Sequence, residues 1–521
     1  MPMLPPESPR SSWLPGIVAV GGLLLTALAG NGVLPIGVSG QWTYGLYPYD
    51  DVPPRFGLLW VPAIGLGILL LVLRSAWRRL ESPRGWLERA GWLLLVLLGG
   101  EVYTTGLILT SRAGAGEPCL IAWSEWAGGF FNDGRRMLHV PDAMAAYPDL
   151  ALRMSPHGRT HPPGSMMVCR TVLAACERRP EGARRIEEAA RRIAPEAVEI
   201  PMQEAPWPRA LPIPPLAPWG RTALLLIAWG TVWGAAIILV PLFALGRMTL
   251  GPHGDREALV AAALFTVSPA IAFFAPWMDL LYPLFSVSAA AFVAVALSTE
   301  RRAIACGGWL LAGSCVALGL LFTFAHLVTV AFLFAWAVCE AVRRGRGVLR
   351  PLLQGTLWGT AGVAVVWGAI RFSWGYDAFR DVLFRTSQSA VDWKATLGTE
   401  LHPYLPWLWG NLVEFSAFLG WPTFLAFLAA TAAAARRLRA RTATMGDSLT
   451  LGLAMALFAL DLSGMSRSEA GRLWLFLMPL AALCAARLFA GRLQARLLIL
   501  CAVALQGMLF KLMLTTNNLI N

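Results

Sequence analysis

Charge is scarce in this chain: 14% of its 521 residues are Asp, Glu, Lys or Arg, against about 25% in a soluble domain. That shortage excludes a water-soluble enzyme as the main body. Lysine is nearly absent, present only as Lys394 and Lys511, so the formal charge of +12 rests on arginine. The arginines sit mainly in short connectors between apolar runs, a membrane-topology pattern and not a nucleic-acid footprint. The eight cysteines form no C-x-x-C pair and no Cys/His group at zinc spacing, which removes zinc-ribbon and thioredoxin-like chemistry. A disulfide from Cys119 to Cys169 or Cys176 is compatible with an extracytoplasmic loop. There is no P-loop and no G-x-G-x-x-G after a strand, so nucleotide-driven chemistry has no visible site.

What is abundant is apolar: 56% of the residues are hydrophobic. Runs of about 20 such residues, each long enough to cross a hydrocarbon core about 30 Å thick, recur along the chain. The fold class is all-α integral membrane. Spans are predicted at 14–36, 57–73, 91–111, 222–246, 258–275, 279–298, 304–320, 325–341, 353–371, 406–434, 448–464, 473–488 and 497–514, about thirteen in all. Ala27-Leu28-Ala29 imitates a signal-peptide cleavage site, but Arg10 alone is a weak n-region, and the later topology is the same either way.

The connector at 42–55 is aromatic and acidic and reads as outside, whereas Arg74, Arg78, Arg79, Arg84 and Arg89 place the next one inside. On the same parity Arg247 with Arg256, Arg301 with Arg302, and the basic stretches 343–350, 436–441 and 487–496 fall inside. The segment 165–176 is too short to span and reads as a helix at the membrane surface. Residues 112–220 then form one large extracytoplasmic loop, long enough to be exempt from the charge rule. Within it, Glu187 with Arg191 and Glu188 with Arg192 suit a solvated helix at i, i+4 spacing, and the proline-rich 206–219 should run extended. A second outer loop covers 372–405. The chain divides into two N-terminal spans (1–90), a core (91–490) and a last span (491–521).

Carboxylates and arginines gather at the outer ends of spans in three places. Glu125, Asp133 and Asp142 follow the third span; a carboxylate at a dry interface is a candidate general base, although capping and solvated loop charge are the plainer reading. Thr160–Gly164 reads THPPG, with His161 able to meet a headgroup or a carboxylate. Asp461 ends a span before a short outer turn with Arg467, Glu469 and Arg472 ahead of Trp474; outward arginines suit a lipid-linked phosphate, or a structural Glu469–Arg472 pair. Asp279 opens a span as an N-cap or a cavity-facing acid. Glu101, Asn411 and Glu414 lie within spans, where paired structural roles are as good a reading as functional ones.

These motifs resemble polyprenol-phosphate-dependent glycosyltransferases of the GT-C superfamily, the class of protein O-mannosyltransferases and aminoarabinose transferases. There, an acidic pair opens the first outer loop and His-Pro-Pro follows on a juxtamembrane helix; here Glu125 precedes His161 by 161 − 125 = 36 residues. Pro269 with Asp279, and Arg467, Glu469, Arg472 and Trp474, match further short segments, the latter in uncharacterised actinobacterial members. The first position of the acidic pair is Ser124 here, and HPPG replaces the commoner HPPL.

The resemblance implies a multi-pass enzyme of the inner (plasma) membrane that transfers a sugar, with inversion, from a polyprenyl-phosphate donor to a cell-envelope acceptor on the extracytoplasmic side. Glu125 or Asp133 would be the base, Arg467, Arg472 and His161 would serve the donor phosphate, and Asp279, Glu469 and Trp474 would support them. No cofactor is certain, and a divalent metal joining Asp279 and Glu125 is weakly suggested. A lipid or solute transporter, or an inactive structural membrane partner, are the alternatives.

Overall fold

The computed structural model describes residues 13–30, 34, 37–38, 42–46, 54–80, 85–125, 129–199, 210–251, 254–345, 347–389, 391, 404–467, 469–489 and 492–516. Arg10, Trp126, Ser468 and much of the second outer loop lie outside them.

Every predicted span has a helix, but thirteen crossings is not what the helices give. Among the described residues, ten helices are long and apolar enough to cross a membrane, eleven if one bent pair counts as a span. The two shortfalls are Leu14–Ala29 and Leu475–Leu488, apolar but short. The bent pair is the predicted 406–434 span, which breaks into Tyr404–Leu419 and Trp421–Arg439 at an angle of 112°. Gly420 makes the corner with a φ of 94°, a left-handed value that glycine alone adopts without strain, and Pro422 restarts the helix in its first turn. The chain is a multi-pass membrane protein. A small antiparallel sheet joins Gly37–Val38, Trp42–Leu46 and Leu514–Thr516, a departure from the wholly helical expectation.

A break among apolar helices frees backbone groups that no water can satisfy. Gln506, fully buried, bridges the break: its Oε1 accepts from Trp421 N at 2.9 Å and its Nε2 donates to the Ala417 carbonyl at 2.8 Å. Gln506→Leu should therefore leave the Trp421 N–H buried and unpaired, costing about 1–3 kcal/mol, while the Ala417 carbonyl keeps its bond from Gly420 N at 3.3 Å. A fall in melting temperature in detergent is the expected result; an unchanged one would show that the break repairs itself.

Four of the connectors assigned to the inside by their arginines meet at one end of the bundle. Arg89 and Arg247 both reach Asp255, at 2.7 and 2.6 Å, Arg496 pairs with Glu257 at 3.0 Å, and Arg437 and Arg487 share Asp447 at 2.6 and 2.5 Å. Helix Gly254–Phe273 runs from that end toward Asp279 at the other.

The segment 165–176 is helical, within Gly164–Arg178, which buries Ser165, Met166, Cys169, Leu173 and Cys176 along one stripe. All eight cysteines are free, so the suggested disulfide is not formed. In helix Pro180–Ile193 the Glu187–Arg191 pair forms at 3.0 Å, whereas Glu188 meets Arg184 at 3.8 Å instead of Arg192. Residues 211–217 form no helix or strand, in keeping with their prolines.

Candidate active site

The site starts from a seven-residue helix, Phe130–Arg136, every residue of which is buried. Gly129, at a φ of 66°, turns the chain into it. Asp133 is fully enclosed and accepts hydrogen bonds from Ser155 Oγ at 2.6 Å and Ser155 N at 3.2 Å. Arg136 Nη1 lies 2.7 Å from Asp133 and 2.5 Å from Glu125. Two carboxylates thus share one guanidinium, all nearly without solvent. Burial pushes the Asp133 carboxyl above its usual range, while the Arg136 charge and the Ser155 hydrogen bonds pull against it.

The neighbouring arginines explain the course of the proline-rich strap. Arg136 Nε donates to the Leu211 carbonyl at 2.7 Å and Arg135 Nη2 donates to the Pro214 carbonyl. Arg135 also lies over the Trp123 ring, 4.9 Å from its centroid. Segment 211–217 is therefore fastened to the carboxylate helix.

Ser155 caps the next turn, Pro156–Thr160, by accepting from Gly158 N at 3.2 Å. Gly158 sits so close to Asp133 that a Cβ there would lie 2.2 Å from Oδ2. This anchors the turn carrying His157 and His161. Their rings are 5.9 Å apart and pack on Phe130 at 5.9 and 5.4 Å. Tyr147 Oη lies 2.8 Å from the Gly158 carbonyl and 2.6 Å from that of His161. The turn ends at Gly164, whose N–H donates to the Leu321 carbonyl at 2.7 Å, docking the His-Pro-Pro corner on the bundle.

Trp277 links this loop to the third cluster. One contact is edge-on with His157 at 6.3 Å; another is the Arg472 guanidinium, 4.1 Å from the ring centroid. Arg472 Nη2 also donates to Glu469 Oε2 at 2.6 Å, and Glu469 holds a left-handed φ of 53°. Arg472 and Glu469 lie within electrostatic reach of both His161 and the buried Asp279. Burial, the neighbouring His157 and the Arg472 charge push the His161 imidazole down to about 3.

The consequence for stability has a definite sign. Between about 3 and the unperturbed 6.5, the unfolded chain binds a proton at His161 that the folded chain does not, so stability rises with pH through that window and is lost on acidification. Melting curves between pH 7 and pH 4 should fall more steeply for the wild type than for His161→Gln; parallel curves would contradict a neutral, half-buried imidazole.

Three places separated in sequence are thus one continuous structure, running from Glu125 and Asp133 through His161 and Trp277 to Arg472, Glu469 and Asp279. Not all expected members join it. Arg467 rests on the Tyr404 ring at 5.4 Å and donates to the Gly464 carbonyl at 3.1 Å. Trp474 is buried in the bundle against Phe415, 5.9 Å between centroids. Asp461 accepts from Asn411 at 3.2 Å, while Asn411 also donates to the Ser466 carbonyl at 2.8 Å, fixing the outer turn. Glu125 and Asp279 have different arginine neighbours, and among the described residues no group of three or more His, Cys, Asp and Glu could hold a metal ion.

Sequence reasoning missed Arg136, Ser155, His157 and Trp277. It also missed a second-loop clasp, in which Arg385 lies over the Tyr147 ring at 5.2 Å and Asp381 accepts from Tyr376 Oη at 2.5 Å and from Arg385. The available signals were the paired Arg135-Arg136 one turn after Asp133 and an aromatic beside Asp279.

No protein-family model matches the chain, and no curated protein matches it. Among solved structures it is similar to an oligosaccharyltransferase from Archaeoglobus fulgidus, with a TM-score of 0.40 and 14% identity, over 57% of this chain and 42% of that one. The match spans less than half of that protein's length, and the functional argument rests on the side chains described above.

Proposed function

We propose that this is a membrane glycosyltransferase of the plasma membrane that moves a sugar from a polyprenyl-phosphate donor to a cell-envelope acceptor on the extracytoplasmic side. The observation that carries the reading is Arg472, buried at the end of the bundle away from the arginine-rich connectors, 4.1 Å from the Trp277 ring centroid and within electrostatic reach of His161 and Asp279. A guanidinium so placed is planar, permanently charged and weakly hydrated, the properties suited to a phosphate at a membrane surface. The motif order of acidic residue, His-Pro-Pro and outer arginine turn also supports it.

In the transfer, an acceptor hydroxyl attacks the anomeric carbon as the bond from that carbon to the phosphate oxygen breaks, inverting the centre. The electron pair leaves on the phosphate, where Arg472 stabilises the growing charge in a low-dielectric setting. The acceptor proton passes to a carboxylate. Glu125, the acidic position that precedes His-Pro-Pro in the motif order, is assigned that role, and Asp133, bonded through both oxygens to Ser155 and Arg136, holds the loop. A donor and acceptor held at one face supply proximity.

One observation favours a transporter: a span broken by 112°, as transporters often have. The test separates the two. The purified protein in nanodiscs is incubated with lipid-linked sugars extracted from the host membrane, and free polyprenyl phosphate is followed by mass spectrometry. Its release together with a glycosylated acceptor is the expected result; intact lipid-linked sugar after prolonged incubation would contradict the enzyme reading.

A further inference from the structure

His161 presents two ring nitrogens, and the structure decides which of them carries the proton. Nδ1 lies 3.0 Å from the His157 carbonyl oxygen. A carbonyl only accepts, so Nδ1 must donate. The second neighbour of Nδ1 agrees: Thr160 Oγ1 is 3.3 Å away, and that hydroxyl already donates its proton to the Pro156 carbonyl at 2.7 Å. It too can only accept from the ring. With Nδ1 protonated and the ring neutral, Nε2 is a bare lone pair. Among the described residues none bonds to Nε2.

A lone pair has no attraction for phosphate, which is itself only an acceptor when ionised. It matches a hydroxyl. His161 lies within electrostatic reach of Arg472, the group assigned to the donor phosphate, and the hydroxyls tied closest to that phosphate are those of the sugar it carries. We propose that His161 is a fixed-tautomer hydrogen-bond acceptor for a hydroxyl of the transferred sugar, and so discriminates glycosylated from bare polyprenyl phosphate. This rests on the glycosyltransferase reading for the identity of the ligand, but not for the tautomer. His161 positions the sugar; it is too weak a base to take the acceptor proton.

The rest of the arrangement keeps the ring in that state. Phe130 covers one side with an aromatic edge, and the titratable groups around the ring are His157, Arg472 and Glu469. The positive Arg472 disfavours a second ring proton, and burial does the same. The lone pair therefore persists over the whole physiological range.

Two arms test this on the full-length protein in micelles. In the first, the six histidines are labelled with 15N, and the His161 signal is assigned by its loss in His161→Phe. A neutral ring protonated at Nδ1 and unchanged from pH 5 to pH 8 is expected. Protonation at Nε2, or uptake of a proton within that range, overturns the proposal.

In the second arm, binding of undecaprenyl phosphate is compared with binding of the extracted lipid-linked sugars. His161→Phe should leave the first within about twofold and weaken the second about tenfold, the worth of one hydrogen bond. His161→Gln, which keeps an acceptor, should recover part of the loss. Equal weakening of both ligands, or of neither, overturns the sugar assignment. Failure of the wild type to bind undecaprenyl phosphate would overturn the glycosyltransferase reading while the tautomer result stood by itself.

Discussion

Arg136→Met is expected to destabilise the protein by about 3–5 kcal/mol, the typical cost of removing one partner from a buried ion pair. The size follows from what remains. Glu125 and Asp133, with side chains 3% and 0% exposed, would face each other without their cation, and one or both would have to take up a proton or reach water. The strap would also lose the hydrogen bond at Leu211. Thermal unfolding in detergent and protease susceptibility of the 129–219 region read this directly. The triple variant Glu125→Gln, Asp133→Asn, Arg136→Met should recover much of the stability, because the charges leave together. A single variant as stable as the wild type would mean that Arg136 is not the keystone of the outer loop.

Arg472→Ala should slow polyprenyl phosphate release by about 10²–10³-fold, the usual loss when one preorganised group that stabilises developing charge is removed. The fold should survive, because the partner left behind, Glu469, is 36% exposed in its side chain and can turn to water. Arg472→Lys should restore only part of the rate, since an ammonium neither stacks as a plane nor binds two oxygens at once. Glu469→Gln should move binding the other way, tightening undecaprenyl phosphate by removing the carboxylate that occupies Arg472. Rates for Arg472→Ala within threefold of wild type would remove the residue from the chemistry.

The membrane architecture was legible because burial in lipid writes itself into composition: a run of about 20 apolar residues needs no tertiary information. That the arginine connectors gather at one end was readable from their alternation with the apolar runs, and Arg89 and Arg247 do converge on Asp255. The break at Gly420 was hidden because apolar residues dominate on both sides, and only the Gly-Trp-Pro triplet marks it. Gln506, which completes that corner from 85 residues away, leaves no local trace.

In the site, the chemistry-bearing residue types were readable but their partners were not. Glu125, Asp133, His161, Asp279, Glu469 and Arg472 stood out as charge or imidazole near apolar spans. Arg136 and Ser155 looked like ordinary loop residues until the fold enclosed them, and Trp277 looked like one of 23 tryptophans. Arg467 was grouped with Arg472 by closeness in sequence, yet the short turn between them points it to Tyr404.

Native mass spectrometry of the protein with undecaprenyl phosphate, comparing wild type and Arg472→Ala, tests the central claim most directly. One lipid retained per chain by the wild type and stripped from the variant is the predicted result. Equal retention by both, or by neither, would contradict a donor-phosphate site on the Trp277 face.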